Sequence, residues 1–170
     1  TARSWLNAVT INGLILVIGG GNLVPLDTLE IYDPASNSWS IGTPMPTPRA
    51  CISSSIWNGK TYVFGGHQTF GVSLGIDTLE IYDPETNQWS SGNPMPTARY
   101  EHGAVTYGDE IFVIGGVNYG TSMRTLEIYH HETDTWTTGA SMPTARSAFV
   151  VAELKGKIYV LGGFSGGSRV

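Results

Sequence analysis

The sequence predicts an all-β chain of repeated four-stranded units, on the strength of a long internal period, a turn-rich composition and short β-branched or aromatic runs. An arginine recurs at Arg3, Arg49, Arg99 and Arg146, in steps of 46, 50 and 47 residues. A period of that length implies a solenoid or a propeller. The 22 Gly, 9 Pro and many Ser, Thr and Asn residues, with only 14% charged residues, favour short strands and tight turns over helices. Hydrophobic residues make up 41% of the 170, enough to bury a substantial core.

Within each period, three intervals are constant. The glycine pairs Gly19-Gly20, Gly65-Gly66, Gly115-Gly116 and Gly162-Gly163 each begin 16 residues after their arginine. TLEIYDP from Thr28, TLEIYDP from Thr78 and TLEIYHH from Thr125 each place a Leu ten residues before Trp39, Trp89 or Trp136. From each Trp to the next Arg, through PMPTPR, PMPTAR and SMPTAR, is ten residues again. All length variation therefore lies between the glycine pair and the Leu, a distance of 10, 14 or 11 residues.

Each period reads as four strands. The first follows the arginine, at Trp5 to Ile11, Cys51 to Trp57, Glu101 to Tyr107 and Ala148 to Leu154. Turns with Asn12-Gly13, Asn58-Gly59, Gly108-Asp109 or Lys155-Gly156 lead back into a second strand that ends at the glycines. Leu-Glu-Ile-Tyr forms the third, Asp-Pro breaks it in two copies, and the Trp opens the fourth. The paired glycines, lacking Cβ atoms, are expected to admit neighbouring backbone and the large Tyr and Trp rings. Blade 1 then spans 1–46, blade 2 47–96, blade 3 97–143, and 144–170 holds the inner half of a fourth.

The ordered set Arg, Gly-Gly, Glu-x-Tyr-Asp-Pro, Trp and Met-Pro resembles the kelch motif over the whole chain. That resemblance implies a partial β-propeller with the strand after the Arg innermost and the Trp-bearing strand outermost. Open blade faces and an unpaired edge would remain. Two completions are expected: the other blades of a longer propeller of six or seven, or further copies of the chain.

The second-to-third-strand loops, Gly21 to Asp27, His67 to Asp77, Val117 to Arg124 and Phe164 onward, should share one rim with the connections between blades. That rim collects the variation, as scaffolded binding surfaces do. Leu23, Val24, Phe70, Leu74, Tyr119 and Phe164 suit contact hot spots, with His67 and Arg124 as polar partners; loop differences without a ligand are the plainer reading. The expected function is a non-catalytic module that binds protein or glycan, against a structural or self-assembling unit.

Recurrence in every blade argues that Arg3, Arg49, Arg99 and Arg146, with Glu30, Glu80 and Glu127, make blade-to-blade ion pairs or fix turns rather than bind an anion. Trp39, Trp89 and Trp136, with Tyr32, Tyr82 and Tyr129, read as core-filling rings. His130, His131, Glu132 and Asp134 replace the Asp-Pro turn and carry metal-ligand chemistry, yet neighbours on an extended chain point to opposite faces and a hydrophilic turn suffices. His102, where other copies have Leu6, Ile52 and Phe149, lines the channel or fills a structural slot. Cys51 has no activating neighbour in the sequence and cannot form an internal disulfide alone.

No cofactor is expected, since each glycine pair ends a strand and opens no helix. Some kelch propellers are enzymes, among them galactose oxidase, but its copper, tyrosine and histidine constellation does not map onto this sequence; an oxidase or epimerase-like fragment is the minor alternative. With 9 basic against 14 acidic residues and no basic cluster, nucleic acid is excluded as an expected partner. No apolar run approaches the ~20 residues of a membrane span. The Ser/Thr/Asn/Gly-rich surface and low lysine content lean toward an extracellular or cell-surface setting over a cytoplasmic one.

Overall fold

A computed structural model describes residues 2–170; Thr1, where the first blade is expected to begin, lies outside the described residues. Three four-stranded antiparallel sheets and a half blade follow one another along the chain. The first blade holds β1 (Asn7–Ile11), β2 (Leu14–Ile18), β3 (Leu29–Asp33) and β4 (Ser38–Ile41). The second holds β5 (Ser53–Trp57), β6 (Lys60–Phe64), β7 (Leu79–Asp83) and β8 (Gln88–Gly92). In the third, β9 (Gly103–Tyr107) and β10 (Glu110–Ile114) are followed by a small hairpin, β11 (Val117–Asn118) and β12 (Thr121–Ser122), before β13 (Leu126–His130) and β14 (Thr135–Thr138). The half blade is the hairpin of β15 (Val150–Leu154) and β16 (Lys157–Leu161), followed by β17 (Phe164–Ser165) and β18 (Ser168–Arg169).

Alternation along the strands makes both faces of each blade apolar, so blades bury their cores between them. Ile11, Leu16, Ile18 and Leu29 of the first blade pack on Ile52, Val63 and Tyr82 of the second. Phe64 and Leu79 on the other face meet Ile111, Val113 and Tyr129 of the third. Met45 and Met95, from the Met-Pro connections, close these layers from the rim.

The inner strands begin two residues later than the sequence predicts. Trp5, Cys51, Glu101 and Ala148 adopt left-handed φ values of 57°, 54°, 53° and 50°, a conformation that cannot continue a strand. The kink turns one peptide toward the next blade: Cys51 N donates to Trp5 O at 2.9 Å, Glu101 N to Cys51 O at 3.0 Å and Ala148 N to Glu101 O at 2.9 Å. These bonds run from blade to blade along the inner edge.

The glycine pairs also serve the joints, but the close neighbours there are not the Tyr and Trp rings. Both residues of Gly19-Gly20 have positive φ, and a Cβ on Gly19 would lie 2.6 Å from Arg49 O and 3.2 Å from the Ile52 side chain. In the first three pairs the second glycine donates its amide to the arginine carbonyl opening the next blade: Gly20 to Arg49 at 3.1 Å, Gly66 to Arg99 and Gly116 to Arg146 at 2.9 Å.

Candidate functional site

The second-to-third-strand loops and the blade connections meet on one rim through backbone bonds: Met45 N to Asp27 O and Met95 N to Asp77 O, both 2.8 Å, and Arg146 N to Met123 O at 3.0 Å. The loops also brace one another. Tyr119 N donates to Ser73 O at 2.7 Å, and Gly75 N to the Asn118 side-chain oxygen at 2.9 Å. The long second loop reaches back over the first blade, where the Phe70 and Trp5 rings lie 5.1 Å apart.

These contacts divide the expected binding residues into two sets. Leu23 (92% exposed), Tyr119 (77%), Val24, Leu74 and Phe164 project into solvent, and Arg124 is exposed beside them. His67 does not join them: it is buried, its Nδ1 is 3.1 Å from Thr69 O, and its ring packs on Phe70 and Tyr100 at 5.3 and 5.1 Å. Phe70 is half-buried in the same cluster. His67 and Phe70 therefore lie beneath the exposed set, because the loop folds inward at these residues. Trp5 and Val72 are exposed on this side and were not singled out by sequence; the other copies carry Cys51, Glu101 and Ala148 in place of Trp5, which was its one signal.

The arginines make stapling pairs, within a blade rather than between blades. Arg49 Nη2 lies 2.7 Å from Glu80 Oε2, with side chains 0% and 4% exposed. Its guanidinium also donates to the carbonyls of Gly65 (2.9 Å), Thr78 (3.1 Å) and Val63 (3.3 Å). Arg3 and Arg99 pair equivalently with Glu30 and Glu127, at 2.6 and 2.8 Å. Burial pulls the Arg49 guanidinium below its ordinary value and the Glu80 charge pulls it back up. At 0% exposure the Arg49 side chain is closed to solvent.

The Trp rings are only partly core. Trp89 and Trp136 are half-buried, donating Nε1–H to Thr43 O (2.8 Å) and Asn93 O (3.0 Å) of the preceding blade connection. Trp39, at the open end, is 60% exposed. Asp134 belongs to the same latch: it accepts from Tyr129 Oη at 2.8 Å and from Asn93 N at 2.7 Å. His130 sits 2.9 Å from Glu110 Oε1 and 2.7 Å from Thr137 Oγ1, His131 stacks on Trp57 with centroids 3.2 Å apart, and Glu132 is exposed. His130, His131 and Glu132 thus border one shallow surface pocket with Glu110, the two histidines each with its own nearest partner, while Asp134 turns away into the latch. Among the described residues no three metal-ligating side chains converge.

His102 fills a slot between blades: its Cε1 would lie 2.7 Å from a Cβ on Gly65, as Ile52 Cδ1 would lie 3.2 Å from one on Gly19. Desolvation, followed by the charges of Arg99 and Arg49, holds its pKa well below the usual imidazole value. Burial and then the Glu101 charge push the Cys51 thiol up to about 12, which leaves it a poor nucleophile at neutral pH.

A fold of stacked four-stranded blades with buried Arg–Glu staples defines a repeat propeller, and comparison with known proteins names its kind. The KLHDC2/KLHL20/DRC7 Kelch-repeats domain model matches residues 1–163, and the chain belongs to the kelch-repeat family. Over 66 residues it is 42% identical to the mouse (Mus musculus) influenza virus NS1A-binding protein homolog, covering 38% of this chain and 10% of that protein. Over another 66-residue match it is 36% identical to human (Homo sapiens) Kelch-like protein 33, covering 38% of this chain and 12% of that protein. The matched segments therefore span about a tenth of these relatives. A solved structure titled "Structure of YjhT" superposes with a TM-score of 0.84 at 20% identity, over 95% of this chain and 59% of that one; this likeness shows the fold.

Proposed function

We propose that the chain is a non-catalytic kelch module whose loop rim binds a protein surface, with glycan as the other ligand class. One observation carries the reading: Leu23, Val24, Leu74 and Tyr119 are exposed on loops that rigid blades and loop-to-loop hydrogen bonds hold in place. Apolar and aromatic groups displayed on a braced scaffold lose little conformational entropy on binding and suit hot-spot contacts. The name of the mouse relative, an NS1A-binding protein homolog, is compatible with a protein partner.

The test is affinity capture with the parent chain and a Leu23→Ser/Tyr119→Ser variant of matched melting temperature. Proteins held by the parent and lost by the variant support the rim. Identical captured sets would remove it.

A second reading has its own observation. Val150, Leu154, Tyr159 and Leu161 on the half blade, and Leu6, Trp39 and Ile41 on the first blade, are exposed apolar faces. Such faces favour association with other blades, whether of a longer chain or of copies. Leu161→Lys would then abolish an association that Tyr119→Ser leaves intact.

A further inference from the structure

Apart from the buried Arg–Glu staples, the charges of the three complete blades are divided unequally between the two rims. The second-to-third-strand loops and the blade connections carry only Asp27, Asp77 and Arg124, one at the foot of each loop. Glu101, at an inner kink, accepts from the Ser147 hydroxyl at 3.1 Å. The turns at the other ends of the strands carry Asp33, Asp83, Glu85, Asp109, Glu110 and Glu132 outside the latch, with Lys60 the one Lys or Arg among them. The loop rim is therefore close to neutral, and the acidic excess of the chain lies at the opposite end.

The exposed side chains between the apolar groups of the loop rim are uncharged as well: Asn22, Gln68, Thr69 and Thr121. Phe70 joins the first loop to the second. Its ring seats over Gly21, where a Cβ would lie 2.5 Å from Phe70 Cζ, and His67, Val117 and Phe164 stand at the equivalent position in the other copies. The bond from Tyr119 N to Ser73 O joins the second loop to the third. The apolar groups of three blades thus belong to one braced surface.

We propose that this rim docks an uncharged segment of a partner protein, rich in aliphatic and aromatic residues, and rejects charged segments of either sign. The inference rests on the loop-rim reading and names the chemistry of its partner. A charged side chain laid among Leu23, Val72, Leu74 and Tyr119 gives up hydration without meeting a counter-charge, so both signs are penalised. An uncharged segment loses nothing comparable, and the amides and hydroxyls between the apolar groups can take its backbone hydrogen bonds.

The test selects phage-displayed random peptides of about twelve residues against the 170-residue chain and labels the strongest binder with fluorescein. The selected peptide should be uncharged. By fluorescence anisotropy its affinity should change less than about twofold between about 50 and about 500 mM sodium chloride, and as little on Arg124→Gln. The Leu23→Ser/Tyr119→Ser protein, of matched melting temperature, should bind at least about tenfold more weakly. Replacing a central peptide residue by Glu and by Lys should weaken binding to a similar extent, and further than Gln does. An acidic or basic peptide that weakens with salt and with Arg124→Gln, yet still needs Leu23 and Tyr119, overturns this inference and leaves the loop-rim reading standing. So does a neutral saccharide on a glycan array, bound by the parent and lost by the double variant, when no peptide is enriched. Peptide binding that ignores Leu23→Ser/Tyr119→Ser, or neither peptide nor saccharide bound, overturns both.

Discussion

Replacing Arg49 by Met tests whether the repeated arginines hold the blades together. Met keeps much of the aliphatic stem but removes four hydrogen bonds, at 2.7 Å to Glu80 and 2.9, 3.1 and 3.3 Å to three carbonyls. Glu80, 4% exposed in its side chain, is left with the Thr47 hydroxyl and no counter-charge. Breaking a buried pair from one side costs about 3–5 kcal/mol, since the surviving charge stays desolvated. Arg146 occupies the same motif position in the half blade, more exposed and donating to Gly162 O, so Arg146→Met should cost only about 1 kcal/mol. Arg49→Met/Glu80→Leu should recover much of the loss, because no buried charge remains. Urea unfolding followed by tryptophan fluorescence and by circular dichroism reads these differences, provided the two transitions coincide and m is unchanged. Arg49→Met and Arg146→Met losing equal stability would refute the reasoning.

His102 has a folded-state pKa well below its usual value, so the unfolded chain takes up a proton first as pH falls. Its contribution to stability is present above about pH 6.5 and is lost below it, by at most about 1.4 kcal/mol per pH unit; His102→Leu should flatten that part of a stability-against-pH curve relative to the parent. The Cys51 thiol, pushed up to about 12, should react with Ellman's reagent far more slowly at pH 8 than after unfolding in urea, and equal rates would contradict that upward push. Asp134→Ala removes the acceptor for Tyr129 Oη and Asn93 N and should lower stability by about 1–2 kcal/mol. Zinc should leave the melting temperature of the parent unchanged, and a rise on adding zinc would restore the metal reading of that turn.

Recurrence made the blades legible. The 16-residue interval from Arg to Gly-Gly and the ten-residue intervals through Leu and Trp located the second, third and fourth strands, because each landmark performs one local task in every copy. The first strand was misplaced by two residues at Trp5, Cys51, Glu101 and Ala148. Nothing in those four unlike side chains announces a left-handed residue; the kink is imposed by the hydrogen bond each makes to a neighbouring blade. The loop rim was legible as a location, through length variation and strand direction. Its division was not, since His67 and Phe70 look like surface residues until the loop folds onto Trp5 and Tyr100.

By itself the sequence determined the period, the strand content and the rim on which variation gathers. These follow from spacing and residue type, which act over a few residues or repeat in every copy. Only tertiary structure decided that Arg49 pairs inside its own blade and that Asp134 latches the blade before it. Each of those depends on which surfaces meet across the stack. One-dimensional spacing carries no record of a contact between residues 30 to 50 positions apart until the blades have folded and packed.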